Sequence, residues 1–214
     1  FSDYGSEAMV HTLEMYQEEG WKYYGGGMNL DEAKQPLKIT HNGNKIAFLG
    51  CNAKAPGYAT ASETNPGALH CDLDEVVEQI KSLREEGYQV IFTLQHQEIY
   101  RWNPTEEMIA DSRRVAEAGA VIVSGSQAHQ PHIYESYGDS FIHYGLGNLF
   151  FDQLGWFEDS NKAFLDRHVF YDGRYLGVEL ITVQFFNWST PTLMTSEARA
   201  EMLQKLFTES DRYK

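Results

Sequence analysis

Residues 72–124 read "DLDEVVEQIKSLREEGYQVIFTLQHQEIYRWNPTEEMIADSRRVAEAGAVIVS", and their pattern decides the fold. Leu73, Val76, Val77, Ile80 and Leu83 recur at helical spacing and Gly87 ends the run, which predicts a helix from about Asp72 to Glu86. Val90–Leu94 is a short apolar run between polar residues, as a buried strand requires. Thr105 then caps a second helix reaching Ala118, with Met108, Ser112, Val115 and Ala116 inward and Gly119 at its end. Val121–Ser124 returns to strand. Helix–strand–helix–strand is a βαβ unit with a leading helix, so the strands are expected to be parallel and covered by helices. The fold class is α/β.

The flanks are shorter elements. Residues 5–19 form a helix with Ala8, Thr12, Met15 and Tyr16 on one face and Gly20 at its C-terminal cap. A glycine-rich loop, "YYGGGMNLDEAKQP", follows, with a helical turn at Asp31–Lys34. Strands Leu37–Thr40 and Lys45–Gly50 are joined through Asn42-Gly43, a strong hairpin signal. Residues 51–71 are a long loop rich in Ala, Pro, Gly and Thr. Downstream, His132–Tyr137, Phe141–Tyr144, Arg167–Tyr171 and Tyr175–Phe186 read as strands in hairpin succession, turned by Gly138-Asp139 and Asp172-Gly173. Ser196–Ser210 is a closing helix. The whole of residues 1–214 reads as one domain.

Composition excludes some functions. The 17 basic and 31 acidic residues give a net charge of −14 with no basic block, so nucleic acid is set aside as a partner. An acidic polymer would need a metal or a local Arg/Lys cluster to offset that charge. No apolar run approaches a membrane span. The chain opens "FSDYGSEAMVHTL", without Met and already inside an element, so a processed or partial chain is expected. Cys51 follows a strand and Cys71 precedes a helix. A disulfide between them would pin the long loop and require an oxidising compartment; two buried free thiols are the alternative.

Chemistry in an α/β sheet gathers at the carboxyl ends of parallel strands. One end carries Gln95, His96, Gln97 and Glu98; the next carries Ser126, Gln127 and His129, with His132 close behind. Adjacent strands would let the imidazoles of His96 and His129 meet at a metal or a phosphate-like group, or serve as an acid/base pair without metal. A histidine at a strand end is as readily a plain polar loop residue. Gly145 and Gly147 are read as turn positions with positive φ, and Asn148 as a cap or an orienting amide. His11 and His41 are expected on the surface.

The order "SGSQAHQPH", then "FIHYGLGNLFFDQ", resembles the CapA-type poly-gamma-glutamate capsule-synthesis proteins, themselves related to calcineurin-like metallophosphoesterases. That family carries a Gly-x-His-x-His turn and a Ser-Leu-Gly-Asn-Phe-x-Phe run. Here the counterparts are Gly125-Ser126-Gln127-Ala128-His129 and Gly145-Leu146-Gly147-Asn148-Leu149-Phe150-Phe151. Its His-Trp-Gly-x-Glu-Tyr segment corresponds to Gln95-His96-Gln97-Glu98-Ile99-Tyr100, with Pro104 after it. Asp3-Tyr4-Gly5 and "GGGMNLDEAKQP" resemble two further motifs. Two family imidazole positions hold carboxamides here, Gln127 and, aligned on Tyr100, Gln95.

The resemblance implies a metallophosphoesterase-like layered α/β/β/α sandwich with mixed sheets, lacking its first strands. It implies a divalent metal (Mn²⁺, Mg²⁺ or Zn²⁺), dinuclear or lost, held by His129, His96, Gln127 and Gln95. Catalytic roles fall to His96, Glu98 and His129, and substrate positioning to Tyr100 and Asn148. The implied activity is metal-dependent hydrolysis in capsule or poly-gamma-glutamate metabolism; the alternative is a non-catalytic polymer-binding or assembly module. Implied partners are an anionic polymer or a small phosphorylated substrate, an envelope biosynthesis complex, or further copies of the chain. The implied location is exported, at the cell surface or envelope.

Overall fold

A computed structural model describes residues 4–151, 155, 157–187 and 189–213. Asp3 of the opening motif and Asp152 and Gln153 of the second run lie outside the described residues. In chain order the elements are α1 (Ser6–Glu18), β1 (Gly26–Gly27), α2 (Leu30–Ala33), β2 (Leu37–His41), β3 (Asn44–Asn52), β4 (Gly67–Ala68), α3 (Leu73–Glu85) and β5 (Gln89–Gln95). They continue with α4 (Glu106–Glu117), β6 (Ala120–Ser126), β7 (Tyr134–Tyr137), β8 (Ser140–His143), β9 (Lys162–Tyr171), β10 (Arg174–Phe185), β11 (Pro191–Leu193) and α5 (Ser196–Ser210).

A six-stranded mixed sheet, ordered β2-β3-β5-β6-β8-β7, forms the frame. Strands β3, β5, β6 and β8 run parallel, and β2 and β7 close the edges antiparallel. Alternation along β5 sends Val90, Phe92 and Leu94 to one face, where they meet Val76, Ile80 and Leu83 of α3 and Val115 and Ala116 of α4. The caps that start these helices are real: Asp72 accepts from the amides of Asp74 and Glu75, and Thr105 from that of Met108. At the Asn42-Gly43 turn both residues take positive φ, 48° and 77°, as a tight hairpin demands.

The second sheet, β11-β10-β9, packs on the opposite face near β8. Phe164, Asp166 and His168 of β9 meet Phe141 and His143 of β8 there. The four downstream strands therefore form two hairpins in two different sheets, and β8 joins the parallel set as well. His132 precedes its strand, which begins at Tyr134, and β9 begins at Lys162, earlier than the pattern suggested. Met202 and Leu206 of α5 complete a second core with Trp102 and Phe164. The mixed α/β architecture, a helix layer over two packed sheets, is as expected.

The long loop is tied down at several points. Cys51 and Cys71 are joined in a disulfide with a Cα–Cα distance of 5.0 Å. Strand β4 pairs with β1, and Asn52 bridges to His70. The ends of β3, β5 and β6 are thereby held level, with Asn52 beside Gln95 and Gln95 beside Ser126.

Candidate functional site

At those level strand ends lies a cavity of about 420 Å³, lined by Asn52, Lys54, Gln95, His96, Glu98 and Gln127 among others. A smaller one of about 200 Å³ adjoins it through Asn52 and Gln95, walled by Gly25, Gly50 and Ser126. Parallel register alone puts these side chains together, because each follows directly on a strand of the same sheet.

Two glycines shape the approach. A Cβ on Gly125 would sit 2.0 Å from the carbonyl oxygen of Tyr144, so only glycine lets β6 turn out against β8. A Cβ on Gly145 would sit 2.4 Å from that of Ala128 and 2.9 Å from the His132 ring. Close approach is thus the reason for Gly145, which corrects the reading of positive φ; Gly147 does have positive φ, 83°. The turn carrying His129 also takes positive φ at Gln127, 73°.

His129 is half-buried with both ring nitrogens engaged. Asn148 gives its two amide hydrogens to the carbonyls of His129 and Ser160, at 3.0 and 2.9 Å, so its Oδ1 is an acceptor. That oxygen lies 3.1 Å from His129 Nδ1, which therefore carries a proton. Nε2 is left facing Glu98 Oε1 at 2.9 Å. A lone pair directed at a carboxylate oxygen needs a cation between them, either a proton or a metal ion. Two ligands on one ion at about 2.1 Å each, at right angles, would stand about as far apart. The Tyr100 hydroxyl donates to the same Glu98 oxygen, which raises the phenol's pKa and keeps it a donor. The Tyr100 ring stacks on His129, centroids 6.1 Å apart and 15° between planes.

His96 turns the other way. Its buried ring places Nε2 3.1 Å from Asp111 Oδ2 on α4, while Nδ1 is buried without a hydrogen-bond partner. His96, Glu107 and Asp111 offer ligand atoms within 4.8 Å of one another, a spacing fit for one cation. Lys54 Nζ holds Glu107 at 2.7 Å and, through that hydrogen bond, draws its carboxyl below the usual carboxylate range. Between the two histidine pairs, Gln95 Nε2 donates to Gln127 Oε1 at 2.6 Å, and among the described residues Gln95 Oε1 has no hydrogen-bond donor.

The structure therefore brings His129, Glu98, Tyr100 and Asn148 into one group and Gln95 with Gln127 into another, and it gives His96 a separate set of partners. His96 and Glu98 line the same cavity. Glu107 and Asp111 were not singled out from sequence, because acids on a helix read as solvated surface; their spacing of i, i+4 from one another was the available signal. Imidazole, carboxylate and amide oxygen together suit a divalent cation of mixed N/O preference, and the unpartnered His96 nitrogen and the His129–Glu98 geometry are consistent with that fit. His132 contributes nothing here: it is fully buried in the core behind the turn. His11, His41 and His70 are exposed.

Comparison with known proteins points one way. The family model for the bacterial capsule synthesis protein PGA_cap matches residues 1–153. A "Capsule biosynthesis protein CapA" of Bacillus anthracis is 29% identical over 175 residues, covering 78% of this chain and 42% of that protein. A "PGA biosynthesis protein CapA" of Bacillus subtilis (strain 168) is 30% identical over 172 residues, covering 78% of this chain and 44% of that protein. The chain spans less than half the length of these curated relatives.

Proposed function

The chain belongs to the bacterial capsule synthesis family, and on that premise we propose that it acts in capsule poly-gamma-glutamate metabolism at the cell envelope as a metal-dependent hydrolase. One observation carries this reading: two imidazole–carboxylate pairs, His129–Glu98 and His96–Asp111, flank one cavity at the carboxyl ends of adjacent parallel strands. His129 and Glu98 would hold one divalent cation, and His96, Glu107 and Asp111 a second. A bound cation supplies Lewis acidity toward the scissile group and acidifies a water.

The remaining roles belong to side chains. Asn148 fixes the His129 tautomer so that the Nε2 lone pair faces Glu98. The Tyr100 hydroxyl donates to Glu98 Oε1 and keeps that oxygen facing His129. Gln95 and Gln127 present amide groups that orient a peptide-like link. The Cys51–Cys71 bond is consistent with an oxidising, extracytoplasmic setting, and among the described residues no helix is long and apolar enough to cross a membrane.

A second reading has its own observation. Gln95 donates to Gln127 at 2.6 Å where the family carries imidazoles, which favours a polymer-binding module that does not turn over. Incubating the intact protein with poly-gamma-glutamate and Mn²⁺, with and without chelator, separates the two. Chelator-sensitive shortening of the polymer supports the hydrolase; a rise in melting temperature with no shortening supports the binding module.

A further inference from the structure

A further cavity, of about 400 Å³, is walled by Tyr100 and lined by Arg101, Trp102, Gln130, Phe157 and Lys205 as well. Tyr100 belongs to both regions: its hydroxyl holds Glu98 and its ring packs edge-on against Phe157, centroids 4.8 Å apart. The cavity and the His129–Glu98 pair therefore share Tyr100 as a common wall.

Its charges are arranged unusually for a chain so acidic. The carboxylates in its wall are already engaged. Glu158 and Asp159 take Lys205 at 3.0 and 2.7 Å, Asp159 also takes Lys162 and the Trp102 indole, and Glu209 takes Arg212 at 2.7 Å. Arg101 is left over. It is exposed, its Nε donates to the carbonyl of Asn103 at 3.1 Å, and among the described residues it forms no ion pair. Its two terminal nitrogens thus form a free fork of the kind that binds a carboxylate bidentately.

A second polar side chain faces the same space. Gln130, next to His129 in sequence, is only 5% exposed, yet its side chain makes no hydrogen bond among the described residues and lines the cavity. Lining the wall, its side chain offers both a donor and an acceptor to whatever enters the cavity. The Tyr100–Phe157 pair adds an aromatic surface suited to methylene groups.

We propose that this cavity is a subsite for one γ-glutamyl unit of the polymer, adjacent to the unit at the His129–Glu98 pair. The inference rests on the polymer named under Proposed function and adds a location and a specificity. Arg101 takes the unit's free carboxylate, Gln130 pairs with its chain amide, and Tyr100 and Phe157 cover its two methylenes.

The test is titration calorimetry of the intact protein with a γ-linked glutamate pentamer and with an α-linked pentamer of equal charge. Metal content is measured in parallel. The γ-linked pentamer should bind at least about tenfold more tightly than the α-linked one. Arg101→Ala, an exposed change that leaves the core alone, should weaken γ-pentamer binding about tenfold or more without altering metal content. Gln130→Leu should weaken it as well. Unchanged affinity in Arg101→Ala, equal binding of the two pentamers, or no binding by the wild type would each overturn the subsite. Arg101-dependent binding to a protein that retains no metal would support the subsite while removing the hydrolase reading.

Discussion

His129 and His132 stand three residues apart in one turn and live in opposite environments. His129 is half-buried and both of its ring nitrogens face polar atoms, Asn148 on one side and Glu98 on the other. His132 is fully buried and neither nitrogen finds a hydrogen-bond partner among the described residues. Burial pushes its pKa down to about 4, and His143 adds to the effect; the nearby backbone of Tyr144 and Ile99 pulls weakly the other way. The first ring has a polar atom opposite each nitrogen, and the second must stay neutral. Histidine density in a turn is therefore a poor guide to chemistry; what faces the ring nitrogens decides.

The contrast can be broken most forcefully at His132. Its pKa is lower in the folded protein than the ordinary value of 6.5, so the unfolded chain binds more protons between about pH 6.5 and 4. Stability should be full above that window and fall as the pH drops through it, by about 3 kcal/mol at most from this residue. Denaturant midpoints measured from pH 7 to pH 4 should show this limb, and His132→Leu should flatten it. An identical slope in the variant would mean that other groups carry the acid sensitivity.

The disulfide holds the β3 end from which Asn52 reaches the cavity, and comes next in size. Cys51→Ser with Cys71→Ser should lower stability by about 3 kcal/mol in the loop-entropy model, read by thermal melting. His143→Ala should also cost stability, because it strands the buried Asp166 that lies 2.7 Å from its Nδ1. Gln127→His has the smallest expected effect on the fold, since Gln127 is exposed and among the described residues its amide bonds only Gln95. It should raise Zn²⁺ affinity by supplying an imidazole ligand. Unchanged affinity would place residue 127 outside the metal site.

Much of this arrangement was legible in the amino-acid order. The apolar stripes of α3 and α4, the Thr105 cap and the Asn-Gly turn specify their elements locally, and the strand ends follow from parallel pairing. The Cys51–Cys71 bond was legible from the loop it closes. What was hidden depends on contacts between distant segments. The turn of His96 toward Asp111 on α4 has no periodic signature, nor does the burial of His132 behind Gly145. Strands β1, β4 and β11 are too short to show alternation. The engagement of Asp166 with His143 joins two sheets, which no local pattern announces.

If the His129–Glu98 pair holds a metal ion, as proposed, removing the imidazole must release that ion. Mn²⁺ bound per chain after equilibrium dialysis of the intact protein, compared among wild type, His129→Ala and His41→Ala, tests it most directly. Binding of at least one ion per chain is expected in the wild type and in His41→Ala, and a loss of at least one ion per chain in His129→Ala. Equal retention by His129→Ala and the wild type would contradict it.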